Sequence, residues 1–451
     1  MLNGGIPVEA AMTILEHPAA QALLQDAVLT PDDVRSCAAS LTAFAQRYLP
    51  LFQRSEQRDH ALTILTGKLS GLQRKTTEPI ATQAGLTRRN LQLFVGAGGW
   101  DDQAVRTELR AHVAQELADA DGVFILDGSG FPKKGQDSCG VARQWCGRLG
   151  KVDNCQQGYF LAYAGRRGGA LVDARLYLPA DWAADGIRRD KTHVPTDVTF
   201  QEGWRLALGL LDEARQTLPG RWVTGDDEFG RASELRGQLR LRQWRYLLDV
   251  PCSTLVRDPS ARRPPRRKGG RTLLAVFERV EDFVARQPAG RWRTVRVRDA
   301  EKGPVTRKVL LATVQTKDED GRVGPRERLV VFKSCEAKPQ TWYTLSNAHE
   351  ARRGELAGVH GKRHGIEERL EEGKGEVGLS HYEVRSWVGW QHHRTLSLLA
   401  LWFLQLERLR LGGKNPGDDG APGAGGVHGV AAGAGAQRGA DRGGGERGAA
   451  A

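Results

Sequence analysis

Cysteine is scarce in this 451-residue chain, with six in all (Cys37, Cys139, Cys146, Cys155, Cys252 and Cys335). That is too few for a disulfide-built scaffold. Cys139, Cys146 and Cys155 are spaced at seven and nine, without the Cys-x2-Cys pairing of zinc sites, and His392 and His393 are remote from them in sequence, so no structural zinc is expected. Long apolar runs are also missing. The longest, near Thr395–Leu406, falls well short of the ~20 residues that cross a bilayer, so no membrane partner is expected. The N-terminal MLNGGIPVEA has neither the basic start nor the apolar stretch of a signal peptide, and a cytoplasmic location is the expectation. Acidic residues are the minority, 54 against 66 Lys+Arg, which leaves a formal net charge of +12.

What is present is enough for a core, since 40% of the residues are hydrophobic. The positive excess suits a polyanionic partner, because Lys and Arg neutralise phosphates and release condensed counterions. Many soluble proteins are basic, but here the charge is concentrated. Arg257–Arg271 holds seven Lys/Arg and one Asp, a net +6, among prolines and glycines that favour an exposed loop.

The pattern divides the chain into five parts. Residues 1–120 read as a helical domain, with apolar positions recurring at three and four in Ala61–Leu72 and Val105–Leu117. Within it, Ile80–Val95 has the form of a helix-turn-helix. Ala84-Gly85 would make the turn, Thr87 would cap the second helix, and Arg88 and Arg89 would sit in its first turn, ready for DNA; two plainly packed helices share the pattern. Residues 121–250 give strands at Val123–Asp127, Tyr159–Ala164 and Ala170–Leu178. A helix (Trp204–Leu218), a strand (Trp222–Asp226), a helix (Ala232–Arg242) and a strand (Tyr246–Val250) follow. That order predicts an α/β fold with a mixed sheet and helices packed on it. Residues 251–345 are β-rich, as an inserted small sheet would be, and 346–411 return to helix.

Residues 412–451 contain 15 Gly and 10 Ala and no aromatic, Leu or Ile, and cannot bury enough surface to fold. Gly, Ala, Arg and Pro are what G+C-rich codons give out of frame, so a frameshift after Lys414 is expected; translating the other frames of the gene checks it.

Two acids follow apolar strand cores, Asp127 and Asp226. Open α/β sheets place their sites at the carboxyl ends of strands, and adjacent carboxylates can share divalent cations, although acids also follow strands simply as turn residues. A third candidate lies in His360–Lys374. With about 100° per helical residue, Arg363, Glu367 and Lys374 fall at roughly 300°, 340° and 320° from His360, which puts all four on one stripe. An ordinary solvated helix face would look the same, and Gly361, Gly365, Gly373 and Gly375 weaken the helix.

Several longer strings go further. LDGSGFPKKG (126–135), GVARQWCGRLGKVDNCQ (140–156), LYLPADW (176–182), WVTGDDEFG (222–230) and IEERLEEGKGEVGLSHYEVRSWVGWQHH (366–393) resemble the DDE transposases of bacterial insertion sequences, most closely the 701-type group. The resemblance runs from about Leu51 to Lys414. The wider superfamily carries a Tyr-x2-Arg-x3-Glu-x6-Lys signature; this chain has His360, Arg363, Glu367 and Lys374 at that spacing, with His in place of Tyr. Where the family usually has Asp-Asp-Thr-Gly, it has Asp127-Gly128-Ser129-Gly130.

The resemblance implies a ribonuclease-H-like core with a β-rich insertion ahead of the glutamate helix. It implies a triad of Asp127, Asp226 and Glu367 holding two Mg²⁺ (or Mn²⁺), with Asp227 competing for the second place. Arg363, Lys374, His360, Lys133 and Lys134 would contact DNA, and Trp342 stands where relatives place a base-stacking aromatic; for the two lysines the bland alternative is a solvated turn. The implied activity is cut-and-paste transposition, with strand cleavage at terminal inverted repeats and transfer to target DNA by a homodimer in the bacterial nucleoid. A decayed copy that only binds DNA is the rival.

Overall fold

The computed structural model describes residues 31–260, 277–298, 304–318, 320–336 and 338–411. The glycine-rich C-terminal segment and most of the basic Arg257–Arg271 loop lie outside the described residues.

Five helices come first: α1 (Pro31–Tyr48), α2 (Ser55–Leu69), α3 (Thr77–Gln83), α4 (Arg88–Gly96) and α5 (Asp102–Leu117). Between α3 and α4 the chain turns through Gly85 at φ +67°, where a side chain would be strained, and Thr87 occupies the N-cap position of α4. Asp101 caps α5 by accepting from the amides of Gln103 and Ala104.

The sheet opens with β1 (Val123–Pro132), β2 (Ala142–Cys146), β3 (Lys151–Ala164) and β4 (Gly169–Leu176). After helices α6 (Ala180–Ala184), α7 (Gly186–Thr192) and α8 (Gly203–Ala214) comes β5 (Trp222–Gly225). Then α9 (Asp227–Arg231) and α10 (Ser233–Leu241) lead to β6 (Arg245–Val250). The core order is β4-β3-β1-β5-β6, with β3 antiparallel to β1 and β1, β5 and β6 parallel. This is the mixed α/β sheet that the order of elements predicts, in the ribonuclease-H-like arrangement that the family resemblance implies. Its strands are apolar because helices cover them; β5 is buried along its whole length.

Two details depart from the sequence reading. The short hairpin strand β2 carries no apolar run, only Ala142-Arg143-Gln144-Trp145-Cys146, and so gives no strand signal. And Asp127 does not end β1: the strand continues to Pro132, held by pairing with β3 down to Cys155. What stops at Leu126 is the parallel pairing with β5, because β5 is four residues long and turns straight into α9.

The β-rich segment contributes β7 (Leu255–Arg257), β8 (Glu278–Arg279), helix α11 (Val280–Ala285), β9 (Arg293–Arg298), β10 (Val305–Lys317), β11 (Val323–Ser334) and β12 (Thr341–Ser346). Rather than standing apart, its strands extend the core sheet, since β12 pairs antiparallel with β6. A second apolar cluster of Val256, Phe283, Leu310, Val331 and Leu345 fills the space beneath it.

Two long helices close the fold, α12 (Arg353–Gly375) and α13 (Trp387–Leu411). α12 lies against β1, β5, β6 and β9. Gly361 permits this closeness to β9, because a Cβ there would stand 2.7 Å from Val297 Cγ1. α13 is buried along most of its length between β4 and the N-terminal helices. One core therefore runs from Phe44 and Tyr48 through Trp402 into Leu161 and Val172. Among the described residues no helix is long and apolar enough to cross a membrane.

Candidate active site

The register of the parallel strands builds the site. Leu126 stands opposite Gly225, and Gly225 opposite Leu248. The next residue on each chain is an aspartate, so Asp127, Asp226 and Asp249 form a row across three neighbouring strands. Adjacent strands lie about 4.8 Å apart, close enough for the carboxylates to feel one another. Sequence reasoning found the first two and missed Asp249, although an acid within the apolar run Tyr246–Val250 was the available signal.

The electrostatics follow from that crowding. Burial, and then the charges of Asp226 and Glu367, push the Asp127 carboxyl up to about 8, with Arg363 opposing. Burial, then Glu228 and Asp227, raise Asp226 to about 6, although it also accepts a hydrogen bond of 3.0 Å from the Glu228 amide. Burial raises Asp249 to about 7 against the pull of Arg363. Asp227 lies one residue further, in the first turn of α9, where Arg231 takes it at 2.8 Å. Asp226 is the foremost charge that raises Asp127.

Helix α12 brings the other groups over the row. Arg363 Nε lies 3.3 Å from Asp249 Oδ2, and the same guanidinium reaches Glu367 Oε1 at 3.2 Å. Glu367, 46% exposed, also meets His364 Nδ1 at 3.3 Å. Lys374 is half-buried a further two turns along, its Nζ 5.7 Å from the centre of the Phe131 ring. Burial and Arg148 lower its pKa, and Asp127 raises it. So Asp127, Asp226, Glu367, Arg363 and Lys374 are brought into one electrostatic neighbourhood.

The remaining candidates have other surroundings. His360 is buried, stacked on Phe332 at 4.2 Å, and burial with Arg363 and Arg307 lowers it to about 3, so it is neutral. Nothing presents its ring to a surface partner. Trp342 is half-buried beside it, under the Arg307 guanidinium at 4.4 Å. Lys133 donates to the Tyr382 carbonyl at 2.6 Å and sits over that ring, whereas Lys134 is exposed. Arg88 pairs with Glu78 at 2.9 Å on the surface of α4, next to exposed Arg89, far along the chain from the acids.

A feature absent from the sequence expectations is the β2–β3 hairpin. Trp145 is 62% exposed opposite Val152, also exposed, with Arg143, Arg148 and Lys151 around them. Cys146 of this hairpin packs on Gly130 of β1, where a Cβ would come within 2.9 Å of its sulfur.

The donor set fits a hard divalent cation: every acid in the row offers oxygen, and Asp249 Oδ1 is buried without a hydrogen-bond partner among the described residues. Among the described residues no three side chains already stand at ligating geometry. Glu367 is engaged by Arg363 and His364 instead.

A ribonuclease-H-like sheet with a row of buried acids just past the parallel pairing of its strands is the arrangement of a nuclease-type fold and site. Residues 47–304 match the model of the DDE superfamily endonucleases, more than half of the chain, and the chain belongs to that family. Membership implies dependence on a divalent metal. The chain is 33% identical over 112 residues to a probable transposase for insertion sequence element IS701 from Microchaete diplosiphon. That alignment spans 25% of this chain and 30% of the relative. Among solved structures, a piggyBac transposase synaptic complex with hairpin DNA is similar at a TM-score of 0.33 and 11% identity, covering 90% of this chain and 82% of that one.

Proposed function

We propose that the protein is an insertion-sequence transposase that cleaves DNA at the ends of its element and joins them to target DNA. The observation that carries this reading is the in-register pair Asp127 and Asp226 facing Glu367, in a basic chain of the DDE endonuclease family. In this reading Asp127, Asp226 and Glu367 hold two Mg²⁺ (or Mn²⁺), which would activate the attacking oxygen and stabilise the leaving one. Asp226 fits the second place better than Asp227, whose carboxylate is spent on Arg231.

The chain's own groups do the positioning. Lys374 offers a point charge to a phosphate beside Asp127, and exposed Lys134 and Arg148 extend that basic rim. Trp145 offers an aromatic face to a base at the strand end. In this reading Arg88 and Arg89, in the first turn of α4, bind the terminal repeat as the second helix of a helix-turn-helix would. Uniting two element ends calls for a homodimer on DNA.

The test is cleavage of a labelled duplex carrying the element's terminal repeat, with Mg²⁺, by the wild type and by Glu367→Gln. Cleavage that the variant loses while still binding DNA supports the reading. Binding without cleavage by either protein would favour a decayed copy, and cleavage that survives the substitution would sink Glu367 as third acid.

A further inference from the structure

The acidic row contains one member more than the proposed triad uses. Asp249 stands on β6, one strand beyond Asp226, and is buried. Its Oδ2 takes Arg363 Nε at 3.3 Å, and the opposite side of that guanidinium takes Glu367 Oε1 at 3.2 Å. Arg363 thus spans from the sheet to the outer face of α12. His360 Nε2 lies 3.8 Å from Asp249 Oδ1, and neither atom has a hydrogen bond among the described residues.

A guanidinium is a rigid planar fork that holds two carboxylates in fixed directions, whereas a lysine ammonium is a rotatable point charge without that geometry. Released from Asp249, the charge of Arg363 would be drawn wholly toward Glu367, Asp226 and Asp127. There it would compete with any cation those acids hold.

We infer that Asp249 is a positioning residue: it holds Arg363 back against β6, which fixes Glu367 over the row and keeps the guanidinium, whose charge is felt by Asp127 and Asp226, from closing onto that pair. The inference rests on reading Asp127, Asp226 and Glu367 as the cation-holding acids. Glu367, His360 and Asp249 are 118 residues apart at their widest in the chain, so only the fold reveals the connection.

The full chain, free of DNA, can be titrated with Mn²⁺ alone by calorimetry. Outer residues that orient a metal ligand typically matter by about 10–100-fold in affinity. Asp249→Asn is therefore expected to weaken Mn²⁺ binding by about tenfold or more when Arg363 is present, and by less than about twofold in an Arg363→Gln background. The same non-additivity is expected in the cleavage rate. Equal factors in the two backgrounds would overturn the inference, because Asp249 would then act through its own charge or as a ligand.

If Asp249→Asn does not fold, Arg363→Lys carries the test. It keeps the charge but not the fork, and Mn²⁺ affinity equal to wild type would again overturn the inference. Asp127→Asn in the same titration separates the two levels of the reading. A wild type that binds no Mn²⁺, or an Asp127→Asn that binds it normally, removes the metal site itself and the inference with it. Mn²⁺ held through Asp127 with additive Asp249 removes the inference alone.

Discussion

Asp173 on β4 and Asp127 on β1 belong to the same sheet, yet their carboxyls are driven in opposite directions. Asp173 is buried to 1% exposure, which by itself raises its pKa, but Arg106, Arg394 and Arg110 outweigh that and hold it below the ordinary carboxylate range. The arginines stand at 2.9, 3.5 and 2.6 Å, and the Ala174 amide adds a bond at 2.8 Å. Asp127 has burial without that compensation, and further acids beside it. The protein neutralises one carboxylate from within and leaves the other without that pairing. That difference separates an acid that ties α5 and α13 to the sheet from the acids proposed to hold a cation.

Substitutions can break or sharpen this contrast. The largest effect is expected from Asp127→Asn, which should lower DNA cleavage by about 10³-fold or more, since metal polarisation supplies several kcal/mol of barrier lowering. It should leave the denaturation midpoint unchanged or raise it, because repulsion is relieved. A variant that unfolds easily would place Asp127 with the structural acids. Asp173→Asn should do the reverse and cost about 3–5 kcal/mol of unfolding free energy, because it strands buried arginines. A loss under about 1 kcal/mol by denaturant titration would mean that Arg106, Arg110 and Arg394 find other partners.

The two regions should also respond oppositely to pH. A raised carboxyl pKa favours the fold while the group is protonated, so the Asp127 contribution is complete below about pH 4 and is lost as pH rises through about 8. Asp249 and Asp226 add to the same trend through about 7 and about 6. Asp173, depressed, contributes above its ordinary pKa and loses that contribution only as the solution turns acid. Melting in chelator from pH 5 to pH 9 should show falling stability that Asp127→Asn flattens; a slope unaltered by that substitution would contradict the assignment. The smallest effect is expected from Trp145→Ala, about 1–3 kcal/mol in binding DNA with an unpaired end, with the melting point unchanged. Equal weakening on fully paired duplex would point to a contact other than stacking.

Much of this was readable from residue order. Apolar runs closed by acids marked β1 and β5, and the stripe through Arg363, Glu367 and Lys374 lies on α12, with Gly361 serving close packing rather than breaking the helix. Asp249 escaped because a lone acid inside Tyr246–Val250 acquires meaning only from strand register, which sequence does not display. His360 shared the stripe's spacing but not its exposure, since Phe332 and Trp342 arrive from the β-rich segment to cover it. The Trp145 hairpin went unseen because its strand is polar and short.

The interleaving of β6 with β12 also sets a timetable for synthesis. Asp127 and Asp226 are polymerised early, but β6 gains its outer neighbour only with Thr341–Ser346, and Glu367 follows Asp226 by 141 residues. At about 5–20 residues per second, a ribosome needs roughly 7–28 s to cover that distance. Throughout that interval the nascent chain carries two of the three acids of the proposed triad and lacks Glu367, so in that reading it would not yet cut DNA near the translating ribosome.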